Sequence, residues 1–231
     1  MIRYIVVAIL MSVCCLASYA QDKQVLRGEV IGRKSGNVYL YASGSFRNGH
    51  QLVDSVRLTS SFFSFTKPLD EPAAYFITVD GAVGQFYFVW DKAVVVTLKP
   101  DNLNESVTED SPVNEQLRSF ADTVETAYAQ RKKANREAFA VAEEAKDEAK
   151  LEQLGQAYYL LFMQEWYAID RYIRTNTDTW ASLFVLIKYH KSLGRKATLE
   201  LLSKLSPVIQ SSRLAGQLKT NLDDASYIIT P

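Results

Sequence analysis

Short apolar runs separated by turn residues fill the first half of the chain, from about residue 24 to residue 109. Several runs alternate between two faces: in NVYLYAS, Val38 and Leu40 point to one side and Tyr39 and Tyr41 to the other. A period of two, together with many Val, Tyr and Phe residues, favours antiparallel strands over βαβ units. This half is therefore predicted to form an antiparallel β-sandwich or a barrel-like sheet.

After Ser111 the hydrophobic period changes from two to about 3.6 residues. Ser111 suits a helix N-cap, and Pro112 suits the first helical position. The rest of the chain reads as successive helices, one of which is predicted to stop at Gly194. The predicted fold class is α+β. An N-terminal antiparallel β-sandwich or barrel-like domain (residues 21–110) is followed by a C-terminal α-helical domain (residues 111–231).

The segment YYLLFMQEWYAIDRY, residues 158–172, carries aromatic side chains at helical spacing. Core packing is the favoured interpretation, and any exposed part would form a protein-binding stripe. Trp90, Trp166 and Trp180 are interpreted as core anchors in the same way.

An acidic cluster consists of Glu143, Glu144, Asp147 and Glu148. Because lysines are interleaved with it, the cluster is interpreted as the solvated face of a helix and not as catalytic carboxylates.

The first twenty residues have the pattern of a secretory signal: Arg3, a short apolar stretch and SYA before Gln21. Cleavage between Ala20 and Gln21 is expected to release a periplasmic product. The rival interpretation is a lipoprotein signal acylated at Cys14 or Cys15, although Val13 and Cys14 are not the small residues that such a signal has before its cysteine.

Lys plus Arg and Asp plus Glu each number 26, so the formal net charge is zero. This balance gives no electrostatic argument for nucleic acid or an anionic membrane as partner, and no stretch after the signal is long and apolar enough to span a bilayer. The only cysteines are Cys14 and Cys15. The exported product is therefore expected to lack disulfides, thiolate nucleophiles and cysteine metal ligands.

The remaining candidates for chemistry are the two histidines, His50 and His190. Neither has a second histidine at metal-ligand spacing, and no phosphate-binding loop or nucleophile motif occurs; GRKSG at residues 32–36 is interpreted as a turn. The sequence thus predicts no catalytic, cofactor-binding or metal-binding residue and no cofactor. The protein is expected not to be an enzyme.

Four segments resemble the domain of unknown function 4369 and the helical spacer after it. LRGEVIGRKSGNVYLY is similar to its opening strands, LVDSVRLTSSFFSFTKPLDEPAAYFI to its central part, FYFVWDKAVVVTL to its last strands and DSPVNEQLRSF to the start of the spacer. The later helices, from TNTDTWASLFVLIKY onward, resemble the rest of the spacer.

In exported bacterial thiol-disulfide oxidoreductases, this domain commonly precedes a thioredoxin-like domain. The resemblance therefore implies a link to thioredoxin-like proteins. Two departures stand out: Ser61 replaces a usual turn glycine, and the sequence reaches DDASYIITP where a thioredoxin-like domain with its C-x-x-C would be expected. Because the family's known chemistry belongs to that domain, no functional residue is carried over.

Three functions remain open from the sequence. The first is a non-catalytic exported interaction or accessory module whose partner is an envelope protein or a separate thioredoxin-like chain. The second is a small-ligand or glycan-binding envelope module that uses Tyr39, Tyr41 or Tyr75 on an exposed sheet face. The third is a truncated, inactive remnant of a thiol-disulfide oxidoreductase. The oligomeric state does not follow from the sequence.

Overall fold

The computed structural model describes residues 23–43 and 49–223. The predicted signal, with Cys14, Cys15 and the cleavage site, lies outside the described residues, as do Asn48 and residues 224–231.

Over the described residues, the β-half forms two separate four-stranded sheets that do not close into a barrel. Sheet I has the order β4-β1-β7-β8 and sheet II the order β3-β2-β5-β6. The strands are β1 (Lys23–Val30), β2 (Asn37–Ala42), β3 (Gln51–Arg57), β4 (Phe62–Pro68), β5 (Ala73–Val79), β6 (Phe86–Trp90), β7 (Val94–Leu98) and β8 (Val107–Glu109). A 3₁₀ turn, Leu103–Glu105, precedes β8.

Neighbouring strands are antiparallel except β1 and β7, which run parallel. The inner faces of the two sheets share one hydrophobic core, to which sheet I contributes residues such as Leu26 and Leu98 and sheet II Leu40, Ile77 and Trp90. The predicted β-rich half is therefore confirmed as two stacked sheets.

One turn differs from the family pattern. The turn at Ser61 has no positive φ and therefore does not require a glycine, which explains how serine fits there. The Ser61 carbonyl accepts a hydrogen bond of 2.8 Å from the Val30 N–H.

Gly28 in β1 leaves space for side chains of the two strands beside it in sheet I, β4 and β7. A Cβ atom added at Gly28 would lie 2.2 Å from Cζ of Phe63 and 2.7 Å from Cγ2 of Val96. Both neighbours belong to the core between the sheets. The ring of Phe63 thus occupies the space that any larger residue at position 28 would need.

Gly28→Ala is expected to lower the free energy of unfolding by about 1–3 kcal/mol, because the phenyl ring must leave its packed position. Urea denaturation measures this change. Adding Phe63→Leu should recover part of the loss, since it removes the nearest obstacle. Ser64→Ala, an exposed position on the strand paired with β1, is the control and should stay within about 0.5 kcal/mol. A harmless Gly28→Ala would contradict this account.

The C-terminal half is helical, as predicted. Its helices are α1 (Pro112–Phe120), α2 (Ala127–Glu144), α3 (Glu148–Thr175), α4 (Trp180–Lys204), α5 (Pro207–Gln210) and α6 (Arg213–Asp223). A π-helical segment, Ala121–Thr126, joins α1 to α2. Gly194, with φ 77° and ψ 163°, interrupts α4 where the sequence predicted a helix end.

The helices form a second core, and α2 and α3 make an antiparallel hairpin beside it. The core draws on Phe120, the end of α3 at Ile169 and Ile173, and residues of α4 to α6. By contrast, α2 buries only Ala142, and α3 buries only Leu154 in its first 21 residues. The far end of the hairpin is therefore supported mainly by its own two helices.

The two halves are joined where β6 meets α1. The Asn114 side chain accepts a hydrogen bond from the Val89 N–H (2.8 Å) and donates one to the Val89 carbonyl (2.6 Å). Ser111 caps α1, accepting from the Asn114 N–H and donating to Asp91 (2.9 Å). Because β6 is an edge strand, Asn114 takes the place of a missing strand neighbour.

A small apolar cluster of Val89, Val113 and Ala181 covers the same contact between the halves. At a second contact, the Arg213 N–H at the start of α6 donates to Glu71 (3.0 Å), and the Arg213 guanidinium lies 3.4 Å from the same carboxylate.

Candidate functional site: an aromatic row on sheet II

The outer face of sheet II carries a continuous row of apolar side chains across all four strands. Leu52 of β3 pairs with Tyr41 of β2, Tyr41 pairs with Phe76 of β5, and Phe76 pairs with Tyr87 of β6. None of the four belongs to the core between the sheets. They therefore project from the opposite face, and we call them the aromatic row.

The rings of the row pack against one another. The Tyr41 and Phe76 rings stack with centroids 4.8 Å apart and an interplanar angle of 4°, and Tyr87 lies 5.2 Å from Phe76. His50 meets Phe76 edge-on at 4.7 Å. These neighbours leave Phe76 only 2% exposed, whereas the two ends of the row, Leu52 and Tyr87, are 51% and 53% exposed. The row is thus a preformed platform whose ends face solvent.

The helical half covers the neighbouring part of this face and leaves the row open. Val89, two residues after Tyr87 on β6, is buried against Val113 and Ala181. Ala74, its partner on β5, is half-buried. The row therefore borders the contact between the halves without being part of it.

Polar groups on the other side of the row are already engaged. Asp80 accepts hydrogen bonds from the backbone N–H and the side-chain amide of Asn37, at 2.9 and 2.8 Å. These bonds hold the pKa of the Asp80 carboxyl below its usual range, and that carboxyl raises the pKa of the neighbouring Tyr39 hydroxyl. The Arg33 guanidinium donates to the carbonyls of Asp80 and Gly81. Asp80, Asn37 and Arg33 are thus engaged with one another and with the backbone.

Of the three tyrosines suggested for a sheet-face site, two lie on the outer face. Tyr39 and Tyr41 are half-buried there, as the alternation in β2 predicted. The prediction was wrong for Tyr75, which is buried between the sheets against Trp90 and whose hydroxyl accepts a hydrogen bond from Lys67. Sequence reasoning did not find Leu52, Phe76 and Tyr87; the alternating run QFYFVWD was the available signal for Tyr87.

The histidines occupy structural settings. His190 is buried in α4, with Nδ1 2.6 Å from the Ile187 carbonyl, and burial lowers the pKa of its imidazole. His50 is exposed at the start of β3 beside Phe76. Among residues 23–43 and 49–223, no group of three His, Asp or Glu side chains could hold a metal ion.

A cavity of about 460 Å³ lies where β8 turns into α1. Its wall carries both signs of charge, from Glu109, Asp110 and Glu115 on one hand and Lys92 and Arg118 on the other. No ligand class follows from such a mixed lining.

The helical segment 158–172 does not pack as predicted. Ile169 is buried, but five large residues expected in the core are exposed: Tyr158, Tyr159, Leu160, Phe162 and Tyr167. Before Ile169 their helix buries only Leu154, so its neighbours there do not cover all its apolar positions. These side chains form the exposed stripe that was the other interpretation of this segment.

Two other predictions can be compared with the structure. Trp90 is fully buried, while Trp166 and Trp180 are half-buried and pack against the helical core from outside. The acidic cluster at the hairpin tip is exposed, as predicted, and Asp147 also caps α3 by accepting from the Lys150 N–H at 3.0 Å.

Comparison with known proteins supports the resemblance of the β-half. Residues 25–117 match the family model described as Domain of unknown function (DUF4369), a range that ends within α1. The β-half with the start of α1 therefore carries this domain, and the predicted resemblance is confirmed there. No curated protein matches the chain. In the part of the chain that the structure describes, no helix is long and apolar enough to cross a membrane.

Proposed function

We propose that this protein is a non-catalytic accessory module that binds a protein partner through the aromatic row. The observation that carries the proposal is the row itself: stacked rings, anchored by a buried Phe76, with Leu52 and Tyr87 about half exposed at its ends. Aromatic and aliphatic anchors of this kind supply most of the binding energy in protein interfaces. The rigid sheet below also means that little ordering entropy opposes binding.

The proposed role is binding and not chemistry because the titratable groups near the row serve the fold. The Asp80 carboxylate is held by Asn37, and His50 lies edge-on against a phenyl ring. Thiol chemistry needs a thiolate, and the sequence has no cysteine after Cys15.

We propose as partner a separate exported thioredoxin-like protein, met in the periplasm after cleavage of the signal. The support is the match of residues 25–117 to the domain whose resemblance implies a link to thioredoxin-like proteins. An accessory role would consist of holding that partner or its substrate.

An insulin-reduction assay with dithiothreitol tests this role. The chain from Gln21 onward is assayed alone, beside the exported thioredoxin-like proteins of the same organism, and mixed with each of them. No turnover above background is expected from the chain alone, because it cannot form a mixed disulfide. We expect the mixture to reduce insulin at a rate different from that of the thioredoxin-like protein alone.

The variant Leu52→Ser/Tyr87→Ser is expected to remove that difference, since both side chains are exposed ends of the row. Phe62→Ser is the matched control, because Phe62 is apolar and at least as exposed but lies on sheet I. Turnover by the chain alone would contradict the non-catalytic proposal. An unchanged rate in every mixture would contradict the thioredoxin-like partner.

A glycan-binding module is the second candidate, favoured by the exposed ring of Tyr87 beside the stacked pair of Tyr41 and Phe76. A sugar site also needs a few well-placed polar groups beside the rings, and here the Asp80 carboxylate is already engaged by Asn37. Saturation-transfer NMR with cell-wall oligosaccharides distinguishes the two. Transfer to a sugar that disappears in Tyr87→Ser would favour the glycan role.

A further inference from the structure

We propose that His50 determines which partner surfaces the aromatic row accepts, by donating a hydrogen bond to an acceptor oxygen that lies beside an apolar side chain of the partner. This inference rests on the proposed function, because it concerns the same surface. It assigns a polar contact to a surface whose other contacts are apolar.

His50 lies on the same face of sheet II as the aromatic row. Its imidazole meets the Phe76 ring edge-on, with centroids 4.7 Å apart. Phe76 is the third of the four positions of the row and has Tyr41 on one side and Tyr87 on the other. The imidazole therefore lies next to the interior of the row, between its two exposed ends.

His50 is exposed, and its ring nitrogens are available to a partner. Over residues 23–43 and 49–223, His50 contacts Phe76 through its ring, and neither ring nitrogen has a hydrogen-bond partner. An imidazole carries at least one N–H donor, whichever neutral tautomer is present. His50 can therefore donate to a partner without giving up a hydrogen bond that the fold uses.

Other polar groups on this face are committed to contacts within the sheet. The Tyr87 hydroxyl donates to the Gln85 side chain at 2.6 Å. The Asp80 carboxylate accepts two hydrogen bonds from Asn37. A partner that covers the row thus meets in His50 a donor that has no such commitment.

The exposed ends of the row make a hydrogen bond from His50 selective. Leu52 on β3 and Tyr87 on β6 are three strand spacings apart, or about 14 Å. A partner that packs on both side chains excludes water from the space between them, and a hydrogen bond shielded from water is stronger. A partner that covers His50 without offering an acceptor leaves the N–H unpaired and loses affinity. His50 thus favours surfaces with an oxygen at this place over purely apolar ones.

Isothermal titration calorimetry tests this contact. The probe is the exported thioredoxin-like protein of the same organism that binds the wild-type chain from Gln21 onward. His50→Phe keeps an aromatic ring against Phe76 but has no donor, so binding should weaken about three- to tenfold. His50→Gln loses the ring but keeps a donor, so it should bind more tightly than His50→Phe.

Gln51→Ala is the matched control and should bind like the wild type. Gln51 is the exposed neighbour of His50, but it pairs with Ala42, which packs against the core between the sheets. Because side chains alternate along a strand, Gln51 points away from the face of the row. Urea denaturation establishes that each variant remains folded.

The outcomes distinguish this contact from the proposed function. Loss of binding in Leu52→Ser/Tyr87→Ser together with full binding by His50→Phe would overturn the role of His50 and leave the proposed function in place. Weaker binding by His50→Gln than by His50→Phe would show that the ring matters and not its N–H, which would also overturn that role. Absence of binding by the wild type would overturn both proposals.

Discussion

Asn114→Ala should lower the free energy of unfolding by about 2–4 kcal/mol, although Asn114 belongs to no hydrophobic core. The substitution leaves the N–H and carbonyl of Val89 without their partners, and Val89 is buried. An unpaired buried backbone group costs about 1–3 kcal/mol. Urea denaturation measures the loss, and amide exchange at Val89 should accelerate in the same variant.

Two further variants make the test specific to this contact. Asn114→Asp keeps an acceptor for the Val89 N–H but turns a second oxygen toward the Val89 carbonyl, so it should also destabilise. Gln116→Ala, a half-buried position on the same helix, should stay within about 0.5 kcal/mol. Equal stability of Asn114→Ala and Gln116→Ala would show that the amide does not replace a strand neighbour.

Trp90→Ala should have the largest effect in the β-half, about 3–5 kcal/mol, because it empties the space of a fully buried indole between the sheets. Tyr75 contacts that indole edge-on with centroids 5.6 Å apart and would lose this neighbour. The free energy of unfolding from urea titration is again the measurement.

Trp90→Phe separates packing from polarity. Within the described residues the indole Nε1–H has no hydrogen-bond partner, so phenylalanine loses some volume but no hydrogen bond. The expected cost is below about 1.5 kcal/mol. If Trp90→Phe were as damaging as Trp90→Ala, the indole Nε1–H would have a role that packing does not explain.

The sequence was sufficient where one local pattern decides the structure. Alternation in β2 placed Val38 and Leu40 on one face and Tyr39 and Tyr41 on the other, and in the structure the first pair is buried in the core while the second lies on the outer face. Gly194 marked a break in α4. In these cases the period of two and the helix-stop signal are both local properties of the chain.

The aromatic row could not be predicted, because it depends on pairing between distant strands. In AAYFITV every residue is apolar, so alternation does not decide whether Tyr75 or Phe76 faces the core. The row exists only because the register aligns Tyr41, Phe76 and Tyr87. Nothing local in the three segments reports that alignment.

The exposed residues of α3 were misassigned for a related reason. A helix that is apolar on several sides is usually buried, and the sequence does not show how many elements surround it. In the structure, α3 has α2 on one side along the hairpin, and Tyr159, Leu160 and Tyr167 remain exposed. Burial depends on what is next to a helix as well as on its composition.

Isothermal titration calorimetry of the chain from Gln21 onward with the exported thioredoxin-like proteins of the same organism tests the central claim most directly. The account predicts saturable binding to one of them that Leu52→Ser/Tyr87→Ser weakens about tenfold or more and Phe62→Ser leaves unchanged. Absence of binding to all of them, or equal binding by the wild type and Leu52→Ser/Tyr87→Ser, would contradict it.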